Sequence, residues 1–534
     1  MATVTVDGIE IEIRDDERLN AIEAAARAGV EIPHYCWHPG LSVVGSCRMC
    51  LIEVGTRDGA GKVTMGPKLT PGCNTVVRDG TVIVTQSEQV QHARALVEEA
   101  LLLEHPVDCP ICDKAGECRL QDYYFEYGQA EGRRADIRPF TSRRRDLGDV
   151  TFFADRCIMC TRCVRFTREI SGTNELMIRD RGAGEEIDVF EGFPLDNKLS
   201  GNVVDLCPVG ALGDKDFLYK QRVWFMRRHE GVCTGCATGC SIWIEENQDR
   251  IHRIKPRENA EVNGWWMCND GRYSYPHVHD PARLIGARHR ADGETTELDF
   301  TGLAERLREA LAGAGRLGAV LSPFLLVEEA YLLATAIRQI DAEAVLALGP
   351  VPTVGDDERF PGGFTISAEK CPNRLGVEAI LGRLSGGVMT FDEFAAQVAD
   401  GSIGGAWVSG GYRGAWIDEA TAEQFASLAT LIVQDLFASP LSAVATFELG
   451  GAAFAERDGS YVNRQHRLQS VRWAVRPPQG LRTEGSLLWE LSGREGLYDA
   501  DAVRKELAQA IPFFHLALGE IPAVGLSLLA NQIA

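Results

Sequence analysis

The chain lacks a long apolar run. No uncharged stretch reaches the roughly 18 residues that a helix needs to cross a bilayer, and the apolar tail at residues 521–534 is too short. Residues 1–6 also lack the basic and apolar regions of a secretory signal. We therefore expect a soluble chain that reaches a membrane only through partner proteins.

Basic residues are in the minority. The sequence has 55 Lys and Arg against 76 Asp and Glu, a formal net charge of −21. A nucleic-acid-binding protein usually presents a basic face, so this balance argues against nucleic acid as a partner. The length of 534 residues predicts several domains rather than one.

Cysteine, in contrast, is abundant and clustered. Four sets of four candidate ligands leave only Cys371 outside them: Cys36-x10-Cys47-x2-Cys50-x22-Cys73, His105-x3-Cys109-x2-Cys112-x5-Cys118, Cys157-x2-Cys160-x2-Cys163-x43-Cys207 and Cys233-x2-Cys236-x3-Cys240-x27-Cys268. Iron–sulfur clusters are held by four thiolates, with imidazole sometimes replacing one. The spacing predicts four clusters in series within the first 270 or so residues.

Disulfides and structural zinc are the alternatives for such cysteines. Disulfide frameworks belong to short secreted chains, which this is not. Structural zinc is usually held by two Cys-x2-Cys pairs. The triplet that begins at Cys157, with Cys207-Pro208 after it, is instead typical of a [4Fe–4S] ligand run.

The first set follows a strand pattern at residues 1–14 and a helix pattern at residues 19–28. Strands, a helix and then a cysteine loop resemble the β-grasp of [2Fe–2S] ferredoxins, in the form found in complex I and soluble hydrogenases. That resemblance implies a [2Fe–2S] cluster on Cys36, Cys47, Cys50 and Cys73. Residues 55–66 read as an inserted polar hairpin that lengthens the gap before the fourth ligand.

The second set follows a predicted helix at residues 89–103. A lone histidine near a helix end is commonly an exposed or capping residue. Here the spacing His-x3-Cys-x2-Cys-x5-Cys is similar to the one-histidine, three-cysteine cluster domain of the complex I large iron–sulfur subunit. The resemblance implies a [4Fe–4S] cluster on His105, Cys109, Cys112 and Cys118.

The third set resembles half of a two-cluster bacterial ferredoxin, in which a triplet is completed by a distant Cys-Pro. One cluster would remain, on Cys157, Cys160, Cys163 and Cys207. Residues 165–190 between them contain strand-like and turn-rich pieces, consistent with a ferredoxin-like module that carries an insertion.

The fourth set resembles the cluster-binding domain that opens the molybdopterin oxidoreductases. Its flanks at residues 241–244 and 251–254 read as a hairpin, and residues 266–272 are similar to the closing segment of that domain. The implied ligands of this third [4Fe–4S] cluster are Cys233, Cys236, Cys240 and Cys268.

The order of the four motifs resembles the large iron–sulfur subunit, also called the 75 kDa or G-type subunit, of the proton-pumping NADH:quinone oxidoreductase, complex I. The resemblance implies a multidomain α+β and α/β fold. The implied domains are a β-grasp [2Fe–2S] domain (1–80), a one-histidine, three-cysteine [4Fe–4S] domain (81–122), a ferredoxin-like [4Fe–4S] domain (140–220), a molybdopterin-oxidoreductase-type [4Fe–4S] domain (222–280) and a shortened molybdopterin-oxidoreductase-like α/β domain without cofactor (281–534).

Residues 281–534 alternate between helix and strand patterns, for example at 303–311, 317–321, 328–340 and 344–348, which predicts a doubly wound α/β region. Residues 313–318 match G-x-G-x-x-G, but they leave a predicted helix and enter a strand, so we interpret them as a loop rather than a dinucleotide site. Cys371 is followed by Pro372, whereas the metal-ligating cysteine of formate dehydrogenases is followed by His. We interpret Cys371 as an ordinary thiol.

The resemblance implies an electron-transfer subunit of the translocase, with no catalytic residues of its own. Single electrons would pass from a flavin- and NADH-binding subunit, through this chain, towards other peripheral iron–sulfur subunits and quinone. We expect no molybdenum, FMN or NAD on the chain, no independent NADH oxidation, and a peripheral position on the cytoplasmic side of a bacterial inner membrane. Two alternatives stay open: an NAD-linked formate dehydrogenase or other molybdenum oxidoreductase, and the diaphorase subunit of an NAD-reducing hydrogenase.

Overall fold

The computed structural model describes residues 1–129 and 144–529. The chain divides into two compact units, one formed by residues 1–226 with residues 360–363 and the other by residues 227–359 with residue 364 onward. The predicted domain boundary at residue 140 lies outside the described residues.

The first unit contains three small sheets and five helices within its described residues. Its helices are α1 Ala21–Arg27, α2 Glu88–Glu104, α3 Arg119–Tyr127, α4 Arg162–Glu169 and α5 Asn202–Leu206. Its strands are β1 Ala2–Val6, β2 Ile9–Ile13, β3 Leu51–Arg57, β4 Val63–Met65, β5 Thr70–Pro71, β6 Thr81–Val84, β7 Arg144–Asp146, β8 Val150–Phe153, β9 Leu176–Arg179, β10 Glu186–Val189 and β11 Leu212–Asp214.

The N-terminal sheet has the order β2-β1-β6-β3-β4, with β5 paired to β3. Strands β1 and β6 are parallel and the other pairs are antiparallel. Alternation in β1 buries Val4 and Val6 against α1, whose buried Ile22 belongs to the same apolar core. Asn20 begins α1 by accepting hydrogen bonds from two backbone N–H groups of the first turn. The sheet and helix thus hold the first cysteine loop, which connects α1 to β3.

The predicted polar hairpin at residues 55–66 is formed by the antiparallel pair β3 and β4. The predicted helix at residues 89–103 is α2, one residue longer at each end. Residues 165–190 differ in part from their strand-like and turn-rich interpretation. They begin inside helix α4, where Arg165, Phe166 and Thr167 are buried, and only then form the β9–β10 hairpin.

The second unit contains nine helices within its described residues. They are α6 Asn269–Arg272, α7 Leu303–Ala312, α8 Val327–Ile340, α9 Arg374–Ser385, α10 Phe391–Ala399, α11 Glu419–Phe425, α12 Pro440–Val444, α13 Glu484–Leu491 and α14 Ala500–Ala510. Its strands are β12 Arg227–Val232, β13 Ser241–Asn247, β14 Arg250–Pro256, β15 Ala287–Ala291, β16 Glu294–Leu298, β17 Leu317–Leu321, β18 Val345–Leu348, β19 Glu358–Arg359, β20 Thr365–Ile366, β21 Gly405–Ser409, β22 Thr430–Asp435, β23 Phe447–Gly450, β24 Gly459–Val462, β25 Arg467–Val471 and β26 Leu526–Ser527.

A seven-stranded sheet of order β16-β15-β23-β22-β21-β17-β18 forms the centre of this unit. Five consecutive strands, β23 to β18, are parallel, and β15 and β16 are antiparallel. The two faces bury different cores: Leu321 packs with α7, α8, α13 and α14, whereas Val320 packs with α10, α11 and α12. The alternation of helices and strands predicted for residues 303–348 is present.

The remaining strands include the sheet β12-β13-β14, which flanks the fourth cysteine set. The predicted hairpin at residues 241–254 is its β13–β14 pair. Residues 313–316 connect α7 to β17 and residues 317–318 begin that strand, so the G-x-G-x-x-G match leaves a helix and enters a strand, as predicted. Among the helices described, none has both the length and the apolar character to cross a bilayer.

Candidate iron–sulfur sites

The first set is brought together by one loop and one turn. Cys36, Cys47 and Cys50 lie between α1 and β3, and Cys73 lies in the 3-10 turn that follows β5. The loop bends at Gly45 and Arg48, both in the left-handed region at φ 65° and 61°. The thiol of Cys36 is hydrogen-bonded to those of Cys47 and Cys73, and Cys73 also contacts Cys50. All four predicted ligands therefore meet at one place.

Interactions among the four thiols of the first set shift their pKa values in opposite directions. Hydrogen bonds from Cys47 and Cys73 lower the pKa of Cys36, and the contact with Cys73 lowers the pKa of Cys50 to about 7. The same contacts raise the pKa values of Cys47 and Cys73. Four thiolates can coexist here only if cations lie among them, which is the charge that iron supplies.

The second set is built on a short turn after α2. Cys109 and Cys112 lie at the two ends of a 3-10 turn, and Cys118 begins α3. The Arg222 guanidinium fixes this turn by donating from Nη1 to the Cys112 carbonyl at 2.7 Å. His105 ends α2, four residues before Cys109. Ligation by the His105 imidazole stays a prediction.

A backbone strain accompanies the second set. Val107, between the histidine and the first cysteine, has φ 49°, which is unusual for a β-branched residue. Such conformations persist where surrounding structure holds them, and they concentrate at binding sites. The backbone conformation of residues 105–109 is therefore held by the surrounding structure rather than by local backbone preference.

The third set surrounds a small cavity. Its four cysteines line that cavity with the apolar side chains Phe152, Ile158, Ile187, Val209 and Leu212. Met159 and Thr161, each beside Cys160, have φ 49° and 59°, which wraps the loop around the cavity. Burial raises the pKa of Cys157 to about 12 and that of Cys160 to about 11.

The fourth set surrounds a second small cavity. Cys233, Cys236, Cys240 and Cys268 line it together with two glycines, three apolar side chains and the charged residues Asp270 and Lys370. Backbone N–H groups point at two of the sulfur atoms: Gly235 donates to Cys233 Sγ and Gly271 to Cys268 Sγ, each at 3.4 Å. Hydrogen bonds from N–H groups to sulfur raise the reduction potential of an iron–sulfur cluster. Burial raises the pKa of Cys233 to about 11.

Two glycines show how closely the chain approaches the sulfur atoms. A Cβ at Gly210 would lie 2.1 Å from Cys112 Sγ, and one at Gly271 would lie 2.8 Å from Cys233 Sγ. Neither position has room for a side chain beside the sulfur. The residues fit iron–sulfur clusters: soft thiol ligands, apolar linings, N–H donors and close backbone approach occur together. In the described residues no three His, Cys, Asp or Glu side chains are grouped to hold a single metal ion.

Cys371 lies outside all four sets. Its side chain is fully buried in an apolar cluster with Phe324 and Tyr412, and its sulfur donates to Glu369 Oε1 at 3.5 Å. Burial raises the pKa of its thiol. These surroundings are those of a core thiol, as interpreted from the sequence.

Sequence reasoning missed the arginines that hold the cysteine loops. Arg222 lies 110 residues after the carbonyl of Cys112 that it binds. Arg156 binds Asp108, and Arg162 and Arg165 bind backbone carbonyls of residues far away in sequence. The position of Arg156 directly before Cys157 is a signal, but its partner is visible only in the folded chain.

Family models match four consecutive regions of the chain. They are described as a 2Fe-2S iron-sulfur cluster binding domain (residues 1–88), an NADH-ubiquinone oxidoreductase-G iron-sulfur binding region (94–133), an NADH-quinone oxidoreductase subunit 3 ferredoxin-like domain (149–213) and a Molybdopterin oxidoreductase Fe4S4 domain (226–280). Each matched region contains one complete set of candidate ligands.

Curated relatives match beyond these regions. The G subunit of the NADH-quinone oxidoreductase of Rickettsia bellii is 37% identical over 303 residues, 54% of this chain and 42% of that protein. The NADH-ubiquinone oxidoreductase 75 kDa subunit of Reclinomonas americana is 34% identical over 67% of this chain and 51% of that protein. The NADPH-Fe(3+) oxidoreductase subunit alpha of Geobacter sulfurreducens is 31% identical over 66% and 42%. The chain spans about half the length of the relatives it matches.

A solved structure also matches part of the chain. It is a crystal structure of NAD+-reducing [NiFe]-hydrogenase in the H2-reduced state, 27% identical, covering 42% of this chain and 91% of that chain with a TM-score of 0.35.

Proposed function

We propose that this chain, a homologue of the G and 75 kDa subunits of NADH-quinone oxidoreductase, is an electron-transfer subunit of that complex. One observation carries the proposal: four sets of mostly buried cysteines follow one another along the chain, and each lies in a region matched by an iron–sulfur family model. Clusters pass electrons singly, so a chain that holds several of them can serve as a conductor between partner subunits.

The proposed ligands are those given above for each set. The first set would hold a [2Fe–2S] cluster and the other three would each hold a [4Fe–4S] cluster, with His105 as the one imidazole ligand. The bound clusters would supply the redox chemistry. The chain's own residues would set the potentials through burial, N–H donors to sulfur and the nearby arginine charges.

The proposed route begins at a flavin-bearing partner. We assign the electron entry point to the first set, where Cys47 is partly exposed and so lies near a surface that a partner can reach; Cys109 of the second set and Cys157 of the third show the same partial exposure. Electrons would leave towards iron–sulfur partner subunits and quinone. The chain would lie peripherally on the cytoplasmic side of a bacterial membrane, held there by its partners.

Residues 281–534 are proposed to form a molybdopterin-oxidoreductase-like α/β domain that serves as a scaffold without a cofactor of its own. Cys371 is fully buried beside Phe324 and Tyr412, which supports this role, since a thiol that held a substrate-accessible molybdenum would face an open site. Molybdenum or tungsten at near one atom per chain would instead favour the formate dehydrogenase alternative.

The test is reconstitution with a flavin-bearing NADH subunit. Hydride transfer belongs to flavin or nicotinamide chemistry, so the isolated chain should not reduce ferricyanide or quinone with NADH. Dithionite should reduce its clusters directly, and addition of the flavin subunit should make their reduction NADH-dependent. NADH oxidation by the isolated chain without detectable flavin would overturn the proposal.

The Geobacter relative favours one second candidate, in which the same clusters serve an NADPH-Fe(3+) oxidoreductase. A chain of that kind would co-purify with a flavin subunit but without quinone reductase activity. Quinone-dependent NADH oxidation by the purified native complex would support the NADH-quinone oxidoreductase assignment, and its absence would support the second candidate.

A further inference from the structure

Helix α4 begins within the third cysteine set and carries two buried arginines one turn apart. The relative exposure of Arg162 is 9% and that of Arg165 is 3%. Buried arginines are rare unless a partner compensates their charge. Their surroundings are therefore informative about what they do.

Arg165 joins the first set to the third. Its Nη2 donates to the carbonyl of Cys36 at 2.5 Å and to the carbonyl of Cys160 at 3.2 Å. Its Nη1 donates to the carbonyl of Ser42, in the same loop as Cys36. One guanidinium thus binds the backbone of a candidate ligand from each set.

Arg162 repeats this arrangement one turn earlier. Its Nη2 donates to the carbonyl of Trp37 at 2.5 Å, and its Nη1 donates to the carbonyl of Leu206 at 3.2 Å. Trp37 directly follows Cys36, and Leu206 directly precedes Cys207. Both arginines therefore connect the same two sets.

The positive charges of the pair are not neutralised by carboxylates. Every acceptor named above is an uncharged carbonyl, and neither guanidinium forms an ion pair within residues 1–129 and 144–529. The carboxylate of the same helix, Glu169, instead accepts from Ser42 and pairs with Arg168. Arg162 also lines the small cavity that the third set surrounds.

We propose that Arg162 and Arg165 are positioning residues that fix the first cysteine set against the third and raise the reduction potentials of both clusters. This inference rests on the proposed function, because it requires a cluster at each of the two sets. An uncompensated positive charge at low dielectric stabilises the reduced form of a cluster, which is the more negative form. Because each arginine binds both loops, its removal should lower both potentials together.

The experiment is an EPR-monitored redox titration of the iron-loaded full chain. Arg165→Met removes the charge, Arg165→Lys keeps it without the forked geometry, and Arg168→Met removes an exposed arginine from the same helix as a matched control. We expect Arg165→Met to lower both midpoint potentials, Arg165→Lys to restore them towards wild type, and Arg168→Met to leave them unchanged.

Two results would overturn the inference. One is that the midpoint potentials of Arg165→Met equal those of Arg168→Met, and the other is that Arg165→Met changes the potential of only one of the two clusters. If Arg165→Met loses iron from either set, the spin–spin coupling between the two reduced clusters in Arg165→Lys decides. Coupling in Arg165→Lys that is weaker than in wild type supports positioning, as does loss of iron from both sets in Arg165→Met. Unchanged coupling in Arg165→Lys contradicts positioning, as does loss of iron from one set alone in Arg165→Met. Wild-type protein that lacks a cluster at either set would instead refute the proposed function itself.

Discussion

Arg156 and Asp108 form a buried ion pair between two cysteine loops. Arg156 Nη2 lies 2.6 Å from Asp108 Oδ2, and the two side chains are 5% and 9% exposed. Asp108 directly precedes Cys109 of the second set, and Arg156 directly precedes Cys157 of the third. The pair therefore fastens the loops that present these two sets.

Loss of this pair should destabilise the first unit. Arg156→Met leaves the Asp108 carboxylate buried without its cation, which costs about 3–5 kcal/mol. Lys220→Met, which breaks the exposed pair with Asp216, should cost no more than about 1 kcal/mol. Urea unfolding of the iron-loaded chain, followed through cluster absorbance, compares the two. Equal unfolding midpoints would contradict a fastening role for the buried pair.

His105 should determine the potential of the second cluster. His105→Cys replaces a neutral imidazole by a thiolate, so we expect a retained cluster with a lower midpoint potential. His105→Ala should weaken or open that cluster and leave the other three signals unchanged. An EPR-monitored titration measures both effects. If both variants match wild type, the fourth ligand is another group.

Gly210 should be required for the second set, although it follows Cys207 of the third. The methyl group of Gly210→Ala would lie 2.1 Å from Cys112 Sγ, so the sulfur must move. Loss of iron from the second set is expected, measured as iron per chain and as the amplitude of its EPR signal. Gly184→Ala, where nothing lies within 4 Å of the added carbon, is the matched control. Full occupancy in Gly210→Ala would show that the loop can relax.

Glu328 gives the second unit a pH-dependent stability. Burial raises the pKa of this carboxyl to about 7 from its usual 4.5. The unfolded chain releases this proton at lower pH than the folded chain, so stability should fall as the pH rises from about 4.5 to about 7. The Ser460 backbone N–H donates to Glu328 Oε2 and the Ser460 hydroxyl donates to Oε1, at 2.7 Å each. In Glu328→Gln the amide oxygen can accept from the backbone N–H, and the amide NH2 can donate to the hydroxyl oxygen.

Calorimetry across this pH range tests whether ionisation of Glu328 causes the predicted loss of stability. Glu328→Gln should flatten the decline in melting temperature and raise stability near pH 8. Glu423→Gln, an exposed substitution on α11, should keep the wild-type pH profile. A Glu328→Gln profile that parallels wild type would assign the decline to other groups.

Local patterns in the sequence predicted much of the fold. The period-2 strands at residues 1–14, helix α2 and the alternation through residues 303–348 were predicted because apolar spacing determines which face is buried. The helical start of residues 165–190 was missed, since α4 buries Arg162 and Arg165 together with Phe166 and so lacks the regular apolar spacing that predicts a helix. The predicted resemblance to the complex I large iron–sulfur subunit is confirmed by the named relatives and by the family models.

The candidate ligands could be proposed from the sequence because at least three members of each set lie within 15 residues of one another, and their ligation of clusters stays a prediction. The groups that hold those loops could not, because their contacts span long sequence distances. Arg165 binds a carbonyl 129 residues away, and Arg156 binds a carboxylate 48 residues away. Guanidinium groups that bind carbonyls leave no periodic pattern, so only the folded chain reveals them.

The count of iron per chain tests the central claim most directly. One [2Fe–2S] and three [4Fe–4S] clusters predict about 14 irons, with an equal amount of inorganic sulfide and with no molybdenum or tungsten. Metal analysis of the purified full chain, combined with Mössbauer spectroscopy, should show this number and both cluster types. Stoichiometric zinc, or fewer than about 10 irons in chains whose four cysteine sets are intact, would contradict the account.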